Sequence, residues 1–176
     1  IVLKNQLQAP ADCLAVARLR AAGAGLIGRT NMVEFAFSGV GTNPHYGTPA
    51  AWDGLYDQVV GAPGQAHAPG GSSSGAAVSV ALGLVEAGIG TDTGGSIRIP
   101  AALCGLVGYK STQARIPCTG VMELSRTLDT VGSITRSVRA CLAVDAVQHK
   151  AQRFGQFVKN HGPALAHRCQ LSRISE

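Results

Sequence analysis

The hydrophobic pattern of the chain predicts helices that alternate with short apolar strands. The segment 12–23, DCLAVARLRAAG, starts with an N-cap candidate, Asp12, carries apolar residues near helical spacing and stops at a glycine, which predicts an amphipathic helix. The small residues of 76–87 predict a second helix. AGIGTD, at the end of that run, predicts a buried strand.

Three further segments give weaker signals. GLIG, 25–28, predicts a short buried strand, and MVEFAFSG, 32–39, predicts a short helix before its final glycine. Residues 41–69 are rich in proline and glycine and have little periodicity, so they predict a long ordered loop. The alternation predicts an α/β fold, with a mixed β-sheet core covered by helices.

Composition indicates a globular protein with one hydrophobic core. The chain has 176 residues, of which 45% are hydrophobic and 14% charged. The sequence lacks an apolar run of membrane-spanning length and a secretory leader, so we expect no membrane partner and a soluble, cytoplasmic protein. The five cysteines lack C-x-x-C spacing, which favours reduced thiols over a disulfide framework or metal site.

The net charge of +5 is concentrated at one end. Residues 1–135 carry eight basic and eight acidic residues, whereas residues 136–176 carry seven basic and two acidic residues. This end is either an RNA-binding arm or a solvated tail, and the absence of interleaved aromatic residues favours the tail. We therefore expect no nucleic-acid partner.

Two glycine and serine clusters, 70–75 and 94–96, are the candidate chemistry, because clustered glycine marks backbone that bends tightly or approaches a ligand. The first cluster has the glycine spacing of a phosphate loop without its lysine, and 88–94 is one residue too long for a dinucleotide fingerprint. Residues 71–75 match G-x-S-x-G formally, but no histidine follows in the core region. A serine activated without histidine remains, and Ser96 in TDTGGS is the candidate.

GGSSSGAA, GTDTGGSIRIPAALCGLVGYK and the upstream GRTNMVEFAFSG resemble the amidase signature family, over residues 12–147. The resemblance implies that Ser96 is the nucleophile and that Ser72, preceded by a cis peptide bond, relays its proton to a catalytic lysine. It further implies that the backbone N–H groups of Thr93, Gly94, Gly95 and Ser96 hold the oxyanion. The implied substrate is a small-molecule amide, and no cofactor or metal is implied.

Several residues keep a second interpretation. The serines 72–74 are also candidate caps of the following helix. Arg98 either orients substrate or pairs with a core carboxylate such as Asp92. Lys110 matches a lysine that we expect to be buried or capping, and Glu34 and Asp129 are expected to be structural.

The sequence departs from the family pattern at both ends. The family's catalytic lysine lies further upstream than this chain extends, and Lys4 stands too close to the first predicted helix to replace it. We therefore expect a partial amidase signature domain, 1–147, followed by a divergent basic tail, 148–176. The alternatives are the amidase component of a tRNA-dependent amidotransferase and a catalytically inactive piece. Apolar sheet faces left uncovered would favour homo-oligomers.

Overall fold

The computed structural model describes residues 9–149. Helices within this range are α1 (Leu14–Ala21), α2 (Ser74–Ala81), α3 (Arg98–Leu103) and α4 (Val138–His149). Strands within it are β1 (Trp52–Asp53), β2 (Gln58–Val59), β3 (Gly61–Ala62), β4 (Gln65–Ala66), β5 (Ala87–Asp92), β6 (Val107–Gly108) and β7 (Thr130–Thr135). None of the helices in this part of the chain is long and apolar enough to cross a membrane.

A three-stranded sheet in the order β5-β7-β6 forms the centre of the fold. β7 pairs antiparallel with both neighbours, so β5 and β6 run in the same direction and are joined by α3. One face of the sheet packs on α2 and α3 through a core cluster that includes Ala77, Ile97 and Ile134. On the other face, Val131 and Ile89 contact the cluster around Ala15 of α1, and α4 packs against both α1 and β7.

The layered arrangement of helices and sheet confirms the predicted α/β class. Every residue of β7 is buried, because helices cover it on both faces and strands on both edges. AGIGTD is confirmed as a strand, although only Gly88 and Asp92 in it are fully buried. The C-terminal end of β5, where the segment TDTGGS begins, therefore lies next to the start of β7.

Some local predictions were wrong. Residues 25–28 form no strand, and all four are exposed. The second helix ends at Ala81 rather than 87, since Gly83 takes a positive φ of 73° and stops it. Asp12 does not cap α1: Cys13 is the N-cap residue without a side-chain bond, and the Asp12 carboxylate accepts from Arg20 at 3.1 Å.

The remaining predictions were coarser than the structure. The loop 41–69 contains two small hairpins, β1 with β2 and β3 with β4. The predicted helix in 32–39 is a single 3-10 turn, Glu34–Ala36. The predicted basic tail, 148–176, lies outside the described residues except for its first two, which complete α4.

Candidate active site

The structure brings the two glycine and serine clusters into contact. The backbone N–H of Ser73 donates to the carbonyl oxygen of Ser96 at 3.1 Å. The Gly71–Ser72 peptide bond is cis, which confirms what the family resemblance implied. Ser72 is fully buried and Ser96 is partly exposed, so the nucleophile candidate lies nearer to solvent than the candidate relay.

Glycine at position 90 allows the two clusters to meet. A Cβ atom at Gly90 would lie 2.3 Å from the Ser73 Oγ, closer than real Cβ atoms come, and 3.3 Å from Cγ1 of Ile97. Ser73 precedes α2 and Ile97 follows Ser96, so residues next to both clusters approach β5 at Gly90. A side chain at position 90 would occupy the space that these two residues fill.

Residues 31–39 hold the cis peptide in place from the side. The N–H of Gly71 donates to the Gly39 carbonyl at 2.8 Å, and the N–H of Val33 donates to the Ser72 carbonyl at 3.0 Å. The carbonyl of Asn31 accepts from the N–H of Gly75 at 2.8 Å. Reasoning from periodicity missed this role of the segment, and only the family resemblance of GRTNMVEFAFSG gave a signal for it.

The buried carboxylate of Asp92 organises the turn that carries Ser96. Its Oδ1 accepts from the N–H of Gly95 at 2.8 Å and from Nη2 of Arg98 at 3.0 Å. Its Oδ2 accepts from the N–H of Ile97 at 3.1 Å, the N–H of Arg98 at 3.3 Å and Nε of Arg98 at 3.1 Å. Of the two interpretations of Arg98, pairing with Asp92 is the one observed.

These contacts set the ionisation of Asp92. Burial acts to raise the pKa of the carboxyl group, but the hydrogen bonds from Arg98 and from the backbone of Ile97 and Arg98 outweigh it and hold the pKa below its ordinary value. Asp92 is therefore a stable carboxylate near neutral pH. The sequence predicts Asp92 only as a partner for Arg98. An aspartate at a strand end, three residues before Gly95, is a pattern that indicates a turn stabilised by the aspartate side chain.

The expected oxyanion donors divide into two groups. The N–H of Gly95 donates to Asp92 in the structure. Within residues 9–149 the N–H groups of Gly94 and Ser96 meet no protein acceptor, and Gly94 is exposed. The assignment of Thr93, Gly94, Gly95 and Ser96 to the oxyanion site stays a prediction.

The hydroxyl of Ser72 has no hydrogen-bond partner among the described residues, although it is fully buried. The capping interpretation of serines 72–74 is wrong, because Ser73 occupies the N-cap of α2 without a side-chain bond and the Ser74 hydroxyl donates to Asn31 at 3.3 Å. A buried hydroxyl without a partner costs about 1–3 kcal/mol. Such a group in a native site calls for a polar neighbour.

Lys110 is the only lysine among residues 9–149. Its Nζ donates to the carbonyl of Asp92 at 2.5 Å and to that of Leu128 at 2.6 Å, which confirms the capping role. None of the hydrogen bonds of Lys110 reaches the Ser72 hydroxyl, which has no partner among the described residues. No group of three or more metal-binding side chains stands together in the described part of the chain.

Comparison with known proteins identifies the family. The sequence profile of the family Amidase matches residues 2–160. Indoleacetamide hydrolase of Pseudomonas savastanoi is 45% identical over 126 residues, 72% of this chain and 26% of that protein. A glutamyl-tRNA(Gln) amidotransferase subunit of Syntrophobacter fumaroxidans is 42% identical over 140 residues, 78% of this chain and 26% of that protein.

The fold agrees with the sequence comparison. The crystal structure of native peptide amidase from Stenotrophomonas maltophilia superimposes with a TM-score of 0.63 and 40% identity, over 79% of this chain and 28% of that chain. Fold and serine site thus define an α/β protein of the amidase type. The chain belongs to the amidase signature family, and it spans about a quarter of the length of the relatives that it matches.

Proposed function

We propose that this chain carries the nucleophile and the proton relay of an amidase, which hydrolyses a carboxamide to a carboxylic acid and ammonia or an amine. The observation that carries the proposal is the contact between the two clusters: the Ser73 N–H donates to the Ser96 carbonyl, and the residue before Ser73 is Ser72, whose hydroxyl is buried and has no partner among the described residues. Family membership supports the same assignment.

The reaction follows the chemistry of an activated serine. The Ser96 Oγ bonds to the amide carbon, its proton passes to Ser72, and the proton of Ser72 passes to a neutral lysine. The negative charge on the carbonyl oxygen is held by free N–H groups of the turn, for which Thr93, Gly94 and Ser96 are proposed. Breaking of the C–N bond returns a proton to the leaving nitrogen through Ser72, and water then hydrolyses the ester on Ser96.

The proposal assigns the catalytic lysine to a segment outside residues 9–149. Lys110, the one lysine in that range, donates to the carbonyl oxygens of Asp92 and Leu128 and forms no hydrogen bond with Ser72. The unsatisfied hydroxyl of Ser72 supports a missing partner at that point. If no such lysine reaches the site, the chain is the catalytically inactive piece expected as one alternative, with the turn formed and the base absent.

Amides of small carboxylic acids are the proposed substrate class. Indoleacetamide hydrolase and peptide amidase are named for amide substrates of different size, so the likeness supports amide cleavage and leaves the acyl group open. The second candidate is the amidase component of a tRNA-dependent amidotransferase, which the 42% identity to the Syntrophobacter fumaroxidans protein over 140 residues favours. That role implies partner chains, and purification with associated proteins would distinguish it.

The experiment compares serine variants in the chain and in its fusion with the remaining segments of indoleacetamide hydrolase. Ser96→Ala should abolish the acyl-enzyme seen by mass spectrometry, and Ser72→Ala should slow turnover roughly 100- to 10,000-fold, as expected for a lost proton-transfer group. Ser79→Ala is the matched control, because the Ser79 hydroxyl only bonds the Gly75 carbonyl inside α2. Undiminished turnover by Ser96→Ala would refute the assignment.

Lys4 is tested in the same assay. The chain alone is expected to be inactive on aliphatic and aryl amides, because a serine hydroxyl without a base is a weak nucleophile. If the chain is as active as the fusion and Lys4→Ala abolishes that activity, then Lys4 is the base and the expectation that the chain alone is inactive is wrong.

A further inference from the structure

The side chains of Thr93 and Asp129 join two segments that meet at the end of the central sheet. Asp92 and Thr130 are the last paired residues of β5 and β7. Thr93 and Asp129 are therefore the next pair beyond the ladder, and the Thr93 hydroxyl donates to Oδ1 of Asp129. The hydrogen bond between these two side chains thus extends the pairing of β5 and β7 by one residue, into the turn that carries Ser96.

The second oxygen of Asp129 fixes a different segment. Its Oδ2 accepts from the N–H of Leu124 at 2.8 Å and from the N–H of Ser125 at 2.9 Å. The residue is 8% exposed, so these bonds form largely away from water. One carboxylate therefore ties the first residue of the Ser96 turn to the loop that precedes β7.

Carboxylates hold the turn at both ends. Asp92 holds the Gly95 N–H, and Asp129 holds the Thr93 side chain. Gly94 lies between the two anchors, and a Cβ atom there would meet nothing within 4 Å. The peptide group after Gly94 is held through the Gly95 N–H by Asp92, and the residue before Gly94 is held through its side chain by Asp129, so the two carboxylates restrain the turn on both sides of Gly94.

Asp129 also lines a cavity, together with Cys118, Val121, Ser125 and Arg126.

We propose that Asp129 is a positioning residue, which acts through the Thr93 hydroxyl to fix the direction of the N–H groups that receive the oxyanion. The role in catalysis rests on the proposed function, whereas the anchoring of the turn by Asp129 is a property of the chain itself. A displaced oxyanion donor affects the transition state more than substrate binding, because the full negative charge exists only there.

The test compares Thr93→Val, which keeps the shape of the side chain, with Thr93→Ser, which keeps the hydroxyl. Thr127→Val is the matched control, since Thr127 is exposed in the loop that precedes β7 and is not one of the residues that hydrogen-bond the Asp129 side chain. In the 176-residue chain, amide hydrogen exchange across 93–97 should speed up about tenfold or more in Thr93→Val and stay within about twofold in the other two variants.

The chemical effect is measured by fluorophosphonate labelling of Ser96, in the chain or, where the chain alone is not labelled, in its fusion with the remaining hydrolase segments. The maximal labelling rate should fall on the order of 10- to 100-fold in Thr93→Val and in Asp129→Asn, with the half-saturating concentration unchanged. The double variant should be no slower than the slower single variant, because both remove the same anchor.

Two results would overturn the inference. One is wild-type exchange and labelling in Thr93→Val. The other is Thr93→Ser being as impaired as Thr93→Val, which would show that shape rather than the hydroxyl matters. Retained labelling in Ser96→Ala would instead refute the proposed function, and the exchange measurement would still decide whether Asp129 anchors the turn.

Discussion

Replacing Asp92 with asparagine should destabilise the protein even though the side chain keeps its shape. Each carboxylate oxygen of Asp92 accepts several hydrogen bonds, and an asparagine amide can accept on one side only. The other side would present an NH₂ group to N–H donors. The less costly orientation places the NH₂ at the Oδ1 position, which loses the bonds from Gly95 at 2.8 Å and from Arg98 Nη2 at 3.0 Å.

The size of the effect follows from these two bonds. A neutral hydrogen bond contributes about 1 kcal/mol net and one to a charged group about 1.5–3 kcal/mol. The Arg98 side chain is 49% exposed, so water replaces part of its interaction. We therefore expect Asp92→Asn to lower the free energy of unfolding by about 2–3 kcal/mol.

Urea unfolding followed by fluorescence measures this loss. Trp52 is the only tryptophan of the chain and packs against the core cluster of α2 and α3, so its emission reports on unfolding of this region. The unfolding midpoint should fall while the dependence on urea concentration stays the same. Asp12→Asn is the matched control, because the exposed pair of Asp12 with Arg20 should contribute less than about 1 kcal/mol.

A loss in Asp92→Asn no larger than that in Asp12→Asn would refute the reasoning. It would mean that the turn is held by its own backbone and that the hydrogen bonds to Asp92 are replaced by water without cost.

Two further predictions concern the same region. Gly90→Ala should cost about 1–3 kcal/mol of stability, because its Cβ would lie 2.9 Å from the Ser73 Cβ, whereas Gly28→Ala, with nothing within 4 Å, should be neutral in the same urea assay. Acid should also destabilise the protein: the pKa values of Asp92 and Asp129 lie below their ordinary 3.8 in the folded state, so their contribution is complete above that value and is lost as the pH falls through the folded values. Urea midpoints should therefore be level down to about pH 5 and fall below about pH 4, and a midpoint that rises on acidification would contradict the assignment.

The sequence predicted elements whose signals are local. The segment of α1 has apolar residues at helical spacing and a glycine at its end, and AGIGTD has the apolar pattern of a buried strand. Both elements were therefore predicted at the positions where the structure has them. The start and end of α2 were missed, because small residues give little contrast between helix and turn. Residues 25–28 were wrongly predicted as a strand, because an apolar run does not reveal whether a strand edge lies beside it.

The candidate site was predictable at the level of motifs and unpredictable in its anchors. The family motif indicated Ser72, Ser96 and the cis peptide bond between Gly71 and Ser72, which the structure contains. The role of Asp129 depends on which residues of β5 and β7 face each other, and Asp129 lies 36 positions from Thr93. Register over such separations is set by packing of the whole sheet, so no local pattern could have given it.

The two buried carboxylates beside the Ser96 turn raise an electrostatic difficulty that the structure resolves. An unbalanced negative charge near a developing oxyanion would raise the barrier that the turn is meant to lower. Asp92 is balanced by Arg98 and by Lys110, whose Nζ lies 3.6 Å from Oδ1. Burial acts to raise the pKa of Asp129, but the hydrogen bonds from Thr93, Ser125 and Leu124 lower it. The positive charge of Lys110 lowers this pKa further, by a smaller amount, and together these effects outweigh burial.

Both carboxylates therefore act as anchors for N–H and hydroxyl donors, with their charge largely compensated by cations and backbone dipoles. Such a turn keeps its geometry whether or not a base is present, because none of its hydrogen bonds involves the Ser72 hydroxyl or the catalytic lysine. In the proposed mechanism, activation of Ser96 is a separate requirement, which is met when a neutral lysine reaches the buried hydroxyl of Ser72. If the chain alone is inactive while the fusion is active, we expect the same exchange rates across 93–97 in both, because the hydrogen bonds of the turn do not depend on the base.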